Sequence, residues 1–446
     1  MKLLEVNSMS IKYLISKNLI PCIHLKNKEI LVLIYFLFFT LGVSNSNGYN
    51  FYNEHRVIEV AILLLLGLWT VLKGDHQFNK SEVLFFAFIA VGSVFWQHSL
   101  FIIIDLLLAY LLVKNFQLLN YNELITKVIV LSSLVIFLLL PVTLLDYFTS
   151  GTYIPNWYPL SWNIRIYNSY FLILSIFATW FYISGGRYKN IYLLFLFLAF
   201  FAVLLDGGRS VTLAYTSFFI IIAICHKTTR LPLILTYISS WLAYLAITYA
   251  ASFGNDGLSI VRESSSGRID LWVNGLQCWV TRPILGCGFY QLEQYPQLSA
   301  HPHNIFIQVL TETGLIGFAF LAFIVFKVAR HISWSFKENY FVLAGLLAVS
   351  IDMSLSGVYI YPITQMALLW LFVFLFKNPV FAHASYFYSP AKLAPSDTSI
   401  LAKYLPILLI GILVLIFGYL FMTTSIFSEE MPSTPPRFWG YGYHLL

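Results

Sequence analysis

Two histidines two residues apart, His301 and His303, with Asn304 directly behind them, form the sharpest chemical feature of this sequence. An imidazole exchanges a proton near neutral pH. His303, at the mouth of a long apolar run, is therefore a candidate base or hydrogen-bond donor toward a hydroxyl. Its candidate companions are Arg165, Arg209, Arg262 and Arg268, all in segments between apolar runs. A guanidinium is a planar fork that holds two phosphate oxygens at once, so this set reads as an anion site. Asp206-Gly207-Gly208-Arg209-Ser210 adds a glycine turn that brings backbone close to a ligand while presenting Arg209. Arg268 opens a stretch of helical spacing that runs to about Val280, and a helix start adds free N–H groups to the guanidinium. These segments contain no carboxylates at metal-ligand spacing, and the adjacent pair Glu429-Glu430 lies in the tail. Charge neutralisation of a phosphate would then fall to arginine, with neither metal nor cofactor expected.

Membrane helices must position these residues. Of the 446 residues, 59% are hydrophobic and only 10% charged, against roughly a quarter charged in water-soluble proteins. Apolar runs fall near 29–45, 57–73, 82–96, 99–113, 128–148, 168–184, 191–205, 211–225, 233–250, 305–327, 341–357, 360–376 and 403–422. Several are short of the roughly 20 residues that cross a bilayer. The reading is an all-α polytopic membrane protein with 12 or 13 transmembrane helices, the whole of 1–446 forming one integral membrane domain. No soluble domain, repeat or low-complexity tract interrupts it. The first thirty residues lack a cleavable signal pattern, so the first run is expected to stay as an anchor.

Basic residues orient the bundle. With the lysine-rich start in the cytoplasm and the runs threaded alternately, every lysine falls inside, together with Arg187, Arg230 and Arg330. The outer side keeps seven basic residues, all arginine: Arg56, Arg165, Arg209, Arg262, Arg268, Arg282 and Arg437. Lysine is a generic topology anchor, whereas an all-arginine outer set implies that some members grip an anion. The bland alternative is pairing with Asp206, Glu263 or Asp270. The net charge of +6 is mostly cytoplasmic lysine and points to no nucleic-acid partner.

Three outer segments are long. Residues 149–167 carry Tyr153, Trp157, Tyr158 and Trp162, read either as the rim of a cavity or as a membrane-interface belt. The tail after Met422 reads as surface decoration. The loop 251–304 carries its own short helix, stopped by Pro283, and is expected to lie over the bundle mouth above the site. Cys278 and Cys287 share this loop and are expected as packed thiols, with a disulfide as the alternative in an oxidising compartment.

His303-Asn304, nine residues, then Gly314-Leu315-Ile316-Gly317 resembles the His-Asn-x9-Gly-x-x-Gly signature of the O-antigen ligase and polymerase superfamily. Gly267-Arg268, Trp272 and Pro283-Ile284-Leu285-Gly286-Cys287-Gly288 are similar to its Arg, Trp and Pro-Ile/Leu-Leu-Gly-x-Gly stretch. Asp206-Gly207-Gly208-Arg209-Ser210 resembles its Gly/Ser-Arg-Ser/Thr element. The matches cover roughly 160–320 in the family's order. Asn163-Ile164-Arg165-Ile166-Tyr167-Asn168 resembles an arginine element of some members, including pilin-type protein ligases, although the Gln-Pro-Asn of those members is missing after it.

The resemblance implies a metal-independent glycosyltransferase of the GT-C type in the bacterial inner membrane, its site facing the periplasm. Its donor would be a glycan linked to undecaprenyl diphosphate. Arg209 and Arg268 would grip the diphosphate and His303 would engage the acceptor hydroxyl or the leaving phosphate. Arg165, Arg262, His301 and Asn304 would contact substrate. The acceptor would be a lipid A–core sugar or a pilin Ser/Thr. A polymerase extending a lipid-linked glycan is the alternative, and the His-Asn signature favours the ligase. A non-enzymatic transporter of an anionic lipid is the reading from another class. It predicts polar residues through the membrane midplane, where Asp105 and Asp352 stand out.

Overall fold

The computed structural model of the protein describes residues 27–43, 51–72, 80–96, 99–160, 164–186, 188–251, 267–289, 301–381, 400–423 and 437–438. Helices dominate them, and no strand forms among the described residues. In chain order they are α1 (Asn27–Thr40), α2 (Phe51–Leu72), α3 (Lys80–Phe95), α4 (Ser99–Leu118), α5 (Glu123–Ser132), α6 (Leu140–Ser150), α7 (Ile164–Ile183) and α8 (Lys189–Leu205). There follow α9 (Arg209–Cys225), α10 (Arg230–Ala251), α11 (Arg268–Thr281), α12 (Ile305–Arg330), α13 (Phe336–Leu355), α14 (Pro362–Lys377) and α15 (Ile400–Thr423). A 3-10 turn over Ser133–Leu139 joins α5 to α6, so one 28-residue span runs from Glu123 to Ser150. Each of the thirteen expected runs lies on a helix or on this joined span, and α11 is the short helix expected in the outer loop.

Six helices among the described residues are long and apolar enough to cross a membrane, and shorter apolar helices such as α8, α9 and α14 pack among them. Side-chain distribution separates the bundle axis from its rim. Every residue of α7 from Ile166 to Thr179 is buried, and α14 is nearly as enclosed, as expected of helices apolar on all faces. By contrast α10 exposes Leu231, Leu235, Ile238, Leu242, Leu245 and Tyr249. Their three-to-four-residue spacing draws a stripe along one face, which suits lipid. Pro362 starts α14 at a position where its missing N–H costs nothing.

The tail departs from expectation. Arg437 is not surface decoration: it is only 1% exposed, and its Nη1 donates to Glu312 Oε1 at 2.6 Å and its Nη2 to Asp105 Oδ2 at 2.8 Å. Beside it Arg56 is equally enclosed, pairing with Glu59 at 2.5 Å and donating through Nε to the Phe438 carbonyl at 3.0 Å. Tyr52 donates to the Arg437 carbonyl at 2.5 Å. A guanidinium in so dry a place is retained only when carboxylates and carbonyls match it. The tail therefore pins α2, α4 and α12 together.

Candidate functional site

The site is assembled on a break in α12. Asn304 starts this helix, its side-chain oxygen accepting from Phe306 N at 3.0 Å and Ile307 N at 3.1 Å, which satisfies two of the helix's free donors. Ten residues on, Gly314 leaves helical geometry (φ 65°, ψ −163°). Into the gap docks the Pro283–Gly288 segment. Cys287 N donates to Thr311 O at 2.8 Å and Gly288 N to Glu312 O at 3.1 Å. In return Leu315 N donates to Pro283 O at 2.9 Å and Ile316 N to Ile284 O at 3.2 Å. Gly286 and Gly314 meet at the centre of this clasp. A Cβ on Gly314 would lie 2.3 Å from Ile284 O, and one on Gly286 would lie 2.5 Å from the Glu312 carbonyl carbon. Both have positive φ, so only glycine serves. Two motifs separated in sequence are thus one backbone unit.

The clasp fixes α11 against α12. Trp272 Nε1 donates to Pro302 O at 2.7 Å, tying α11 to the loop that carries the histidines. Gly275 lets α12 approach closely, since a Cβ there would stand 2.9 Å from Thr311 Oγ1. Cys278 and Cys287 form a disulfide with Cα atoms 6.3 Å apart, which corrects the expectation of packed thiols. It staples α11 to the docked segment.

Three helix starts then converge. Arg165 is the second residue of α7, Arg209 the first of α9 and Arg268 the first of α11. All three line one recess of about 530 Å³ with Asn168, Ser169, the Asp206–Val211 turn and Ser356. Neither Gly208 nor Gly267 supplies a side-chain cap, and Arg209 N donates to Gly207 O at 3.0 Å; a helix start of this kind favours an anion. Burial lowers the pKa of Arg268, and the nearby charges of Arg165 and Arg209 lower it further. Arg268 Nε is buried with no hydrogen-bond partner among the described residues. Asp352 acts in the opposite sense, raising the Arg268 pKa, and an anion entering the recess would do the same.

The aromatic segment is the buttress of this recess rather than a membrane belt. Tyr153 donates to Asp206 Oδ1 at 3.0 Å, Tyr158 donates to Asp206 Oδ2, and Trp157 Nε1 donates to Tyr153 Oη at 3.0 Å. Tyr158 stacks on Tyr167 of α7 with centroids 3.9 Å apart. Asp206 is held in place, and with it the glycine turn that aims Arg209. Burial pushes the Asp206 carboxyl up to about 7, against the downward pull of its two tyrosine hydrogen bonds.

His303 stands beside the recess rather than in its lining. Its backbone is left-handed (φ 54°), the one non-glycine residue of that kind among the described residues. Strain of that sort is retained where the surroundings impose it, and it concentrates at functional sites. Here His301 helps impose it: fully buried, it accepts the His303 N–H on Nδ1 at 3.3 Å. Their rings stand 4.1 Å apart, and Gly357 backs onto His301, where a Cβ would fall 2.7 Å from Cε1. Burial, and then the charges of Arg165 and Arg268, lower the His303 pKa to about 3. His303 is therefore a neutral imidazole at physiological pH.

Of the site residues expected from sequence, Arg165, Arg209 and Arg268 line the recess, His303 borders it, His301 supports His303 and Asn304 caps α12. Arg262 lies outside the described residues, as do Trp162 and Glu263. Asn168 and Ser356 line the recess and were not anticipated. Asn168 follows Arg165 by one helical turn, a spacing that marks the shared face.

A helical membrane protein with an arginine-lined recess at helix starts is the class that this geometry defines. Residues 194–322 match the Wzy_C family model, described as O-antigen ligase. Over that stretch the chain is similar to the O-antigen ligase superfamily, which supports glycan joining of the ligase or polymerase type. The matched stretch contains Arg209, Arg268, His303 and Gly314, whereas Arg165 lies before it. A search of curated proteins finds no match to the chain.

Proposed function

We propose that the protein is a periplasmic-face glycan ligase of the bacterial inner membrane, moving a glycan from undecaprenyl diphosphate to an acceptor hydroxyl. The observation that carries this reading is the gathering of Arg165, Arg209 and Arg268 at three helix starts beside a neutral His303. The acceptor oxygen attacks the anomeric carbon, the bond from that carbon to the phosphate oxygen breaks, and the diphosphate departs with the electron pair. Negative charge grows on the departing oxygen, so preorganised guanidinium and N–H donors stabilise the transition state more than the ground state. His303 takes the hydroxyl proton.

A base with a pKa near 3 is weak, and donor binding corrects this. Two causes of the lowered value are the charges of Arg165 and Arg268, which a bound diphosphate neutralises. His303 then gains basicity once the donor is seated. Arginines and helix starts supply the charge stabilisation, so no metal is needed for this step. The Cys278–Cys287 disulfide supports an oxidising, extracytoplasmic setting for α11. The acceptor is a lipid A–core sugar or a pilin Ser/Thr.

The test is transfer by the purified protein in lipid nanodiscs from a synthetic polyprenyl-diphosphate glycan to each acceptor, with chelator present. Transfer by the wild type, and its loss in Arg268→Ala and His303→Ala with unchanged folding, is expected. Full activity of both variants, or strict dependence on a divalent cation, would overturn the reading. Elongation of the lipid-linked glycan itself would assign the protein as a polymerase. Transporter chemistry is less well served: Glu59, Asp105 and Glu312 lie in the bundle matched to Arg56 or Arg437, and Asp352 accepts from Ser356 Oγ at 2.6 Å.

A further inference from the structure

Asn168 lines the recess and has no place in the chemistry above. It lies on α7 one turn below Arg165, is 1% exposed, and lines the same cavity as the three arginines. Among the described residues neither its amide nitrogen nor its amide oxygen has a hydrogen-bond partner, although both atoms are shut off from solvent. Gly208 makes room for it: a Cβ there would fall 2.7 Å from Asn168 Nδ2. A small residue at the turn thus leaves space for the amide at the recess wall. Buried amides are nearly always satisfied, and a pair of orphaned ends in a ligand recess marks a place where the ligand provides the partners.

The two ends ask for different partners. The Nδ2 amine donates and the Oδ1 carbonyl accepts. An ionised phosphate only accepts, so it satisfies the amine and leaves the carbonyl wanting. In a glycosyl diphosphate, the hydrogen-bond donor nearest the phosphate is the substituent at C2 of the first sugar, adjacent to the anomeric carbon. A hydroxyl or an acetamido N–H at that position completes the pair. Resting on the donor class assigned above, we propose that Asn168 is a specificity-determining residue that bridges the sugar-bearing phosphate and a C2 hydrogen-bond donor of the first sugar. Sites built to hydrogen-bond a ligand hydroxyl discriminate strongly against analogues lacking it, because the protein's own polar group is then stranded.

The experiment measures binding of two short-chain polyprenyl diphosphates to the full-length protein in nanodiscs, one with a C2 hydroxyl on its single sugar and one with fluorine there. Fluorine keeps the size but cannot donate, and affinity is unaffected by its influence on bond breaking. Wild type should bind the hydroxyl lipid at least about tenfold more tightly. Asn168→Leu, similar in volume, should bring the two lipids to within about twofold. Asn168→Asp keeps the acceptor and loses the donor, so it should weaken both lipids while retaining the preference for hydroxyl, which covers the case of a poorly folded leucine variant. Equal binding of the two lipids by wild type, or an undiminished preference in Asn168→Leu, overturns the assignment of Asn168 alone. Failure of wild type to bind either lipid overturns the donor class and this inference with it.

Discussion

Two groups of outer arginines occupy one molecule and live by opposite rules. Arg56 and Arg437 are sealed in the bundle, Arg56 matched to Glu59 and to backbone carbonyls, Arg437 to Glu312 and Asp105. Arg165, Arg209 and Arg268 gather at helix starts around an open recess, where burial, and then the charges of Arg165 and Arg209, lower the pKa of Arg268. The one acid of the recess wall, Asp206, is held by two tyrosines and its carboxyl is pushed up to about 7. Structural arginine brings its counter-charge with it. The recess instead gathers three guanidiniums around a space that, in our reading, an anion enters.

The comparison breaks first on single substitutions. Arg268→Ala should lower transfer by about 100-fold or more, the loss typical of one preorganised donor at a developing oxyanion, with little change in thermal midpoint. Arg268→Lys should rescue only part of this, because a point charge does not replace the fork. Arg437→Ala should do the reverse. It leaves Glu312 buried without its partner, costing about 3–5 kcal/mol of stability, seen as a lower midpoint, while the molecules that stay folded keep their rate. Equal effects of both alanine variants on both readouts would erase the distinction between the two groups.

Titration sharpens it. Asp206 carries its charge only above about 7. A carboxyl raised in the fold favours the protonated form, so it opposes folding progressively as pH climbs from about 4 through 7. The new negative charge also competes with an anion. Affinity for a diphosphate lipid should fall as pH rises through 7 in wild type and lose that step in Asp206→Asn, read by binding titrations at pH 6 and 8. For His303 the sign differs. Its pKa is lowered to about 3 from 6.5, so its contribution to stability is complete above 6.5 and is lost as pH falls toward 3. No acidic limb near 6.5 should appear in kcat/KM on its account.

The smallest effect belongs to the staple. Replacing both Cys278 and Cys287 with alanine should cost about 2–3 kcal/mol by the loop-closure estimate for so short a loop. Folding of the variant without reductant, followed by denaturation, measures it. The rate should fall modestly, because the backbone clasp remains.

Much of this was legible in the chain. The all-α bundle follows from apolar runs, although only six of the described helices are long and apolar enough to cross a membrane, and the outer placement of Arg165, Arg209, Arg268 and His303 is an expectation from residue type and topology. What escaped has a common cause. Arg437 meets Glu312 and Asp105 across 125 and 332 residues, and no local pattern encodes such a meeting. A tail rich in proline and charge reads as surface until its partner is seen. The capping role of Asn304, whose side-chain oxygen accepts from the first turn of α12, was hidden because it adjoins His303 and reads there as a substrate ligand. The break at Gly314 was hidden because a lone glycine in an apolar run also fits an unbroken helix.

The Gly286–Gly314 clasp has a consequence for how such an enzyme diversifies. Its four hydrogen bonds join main chain to main chain, so it places no demand on the side chains of Ile284, Leu315 and Ile316, which are all exposed. Those positions can drift with the lipid or the partner they face while the frame holding Arg268 and His303 keeps its dimensions. A lineage can therefore vary that surface without disturbing the recess proposed as the site, provided that two glycines never change.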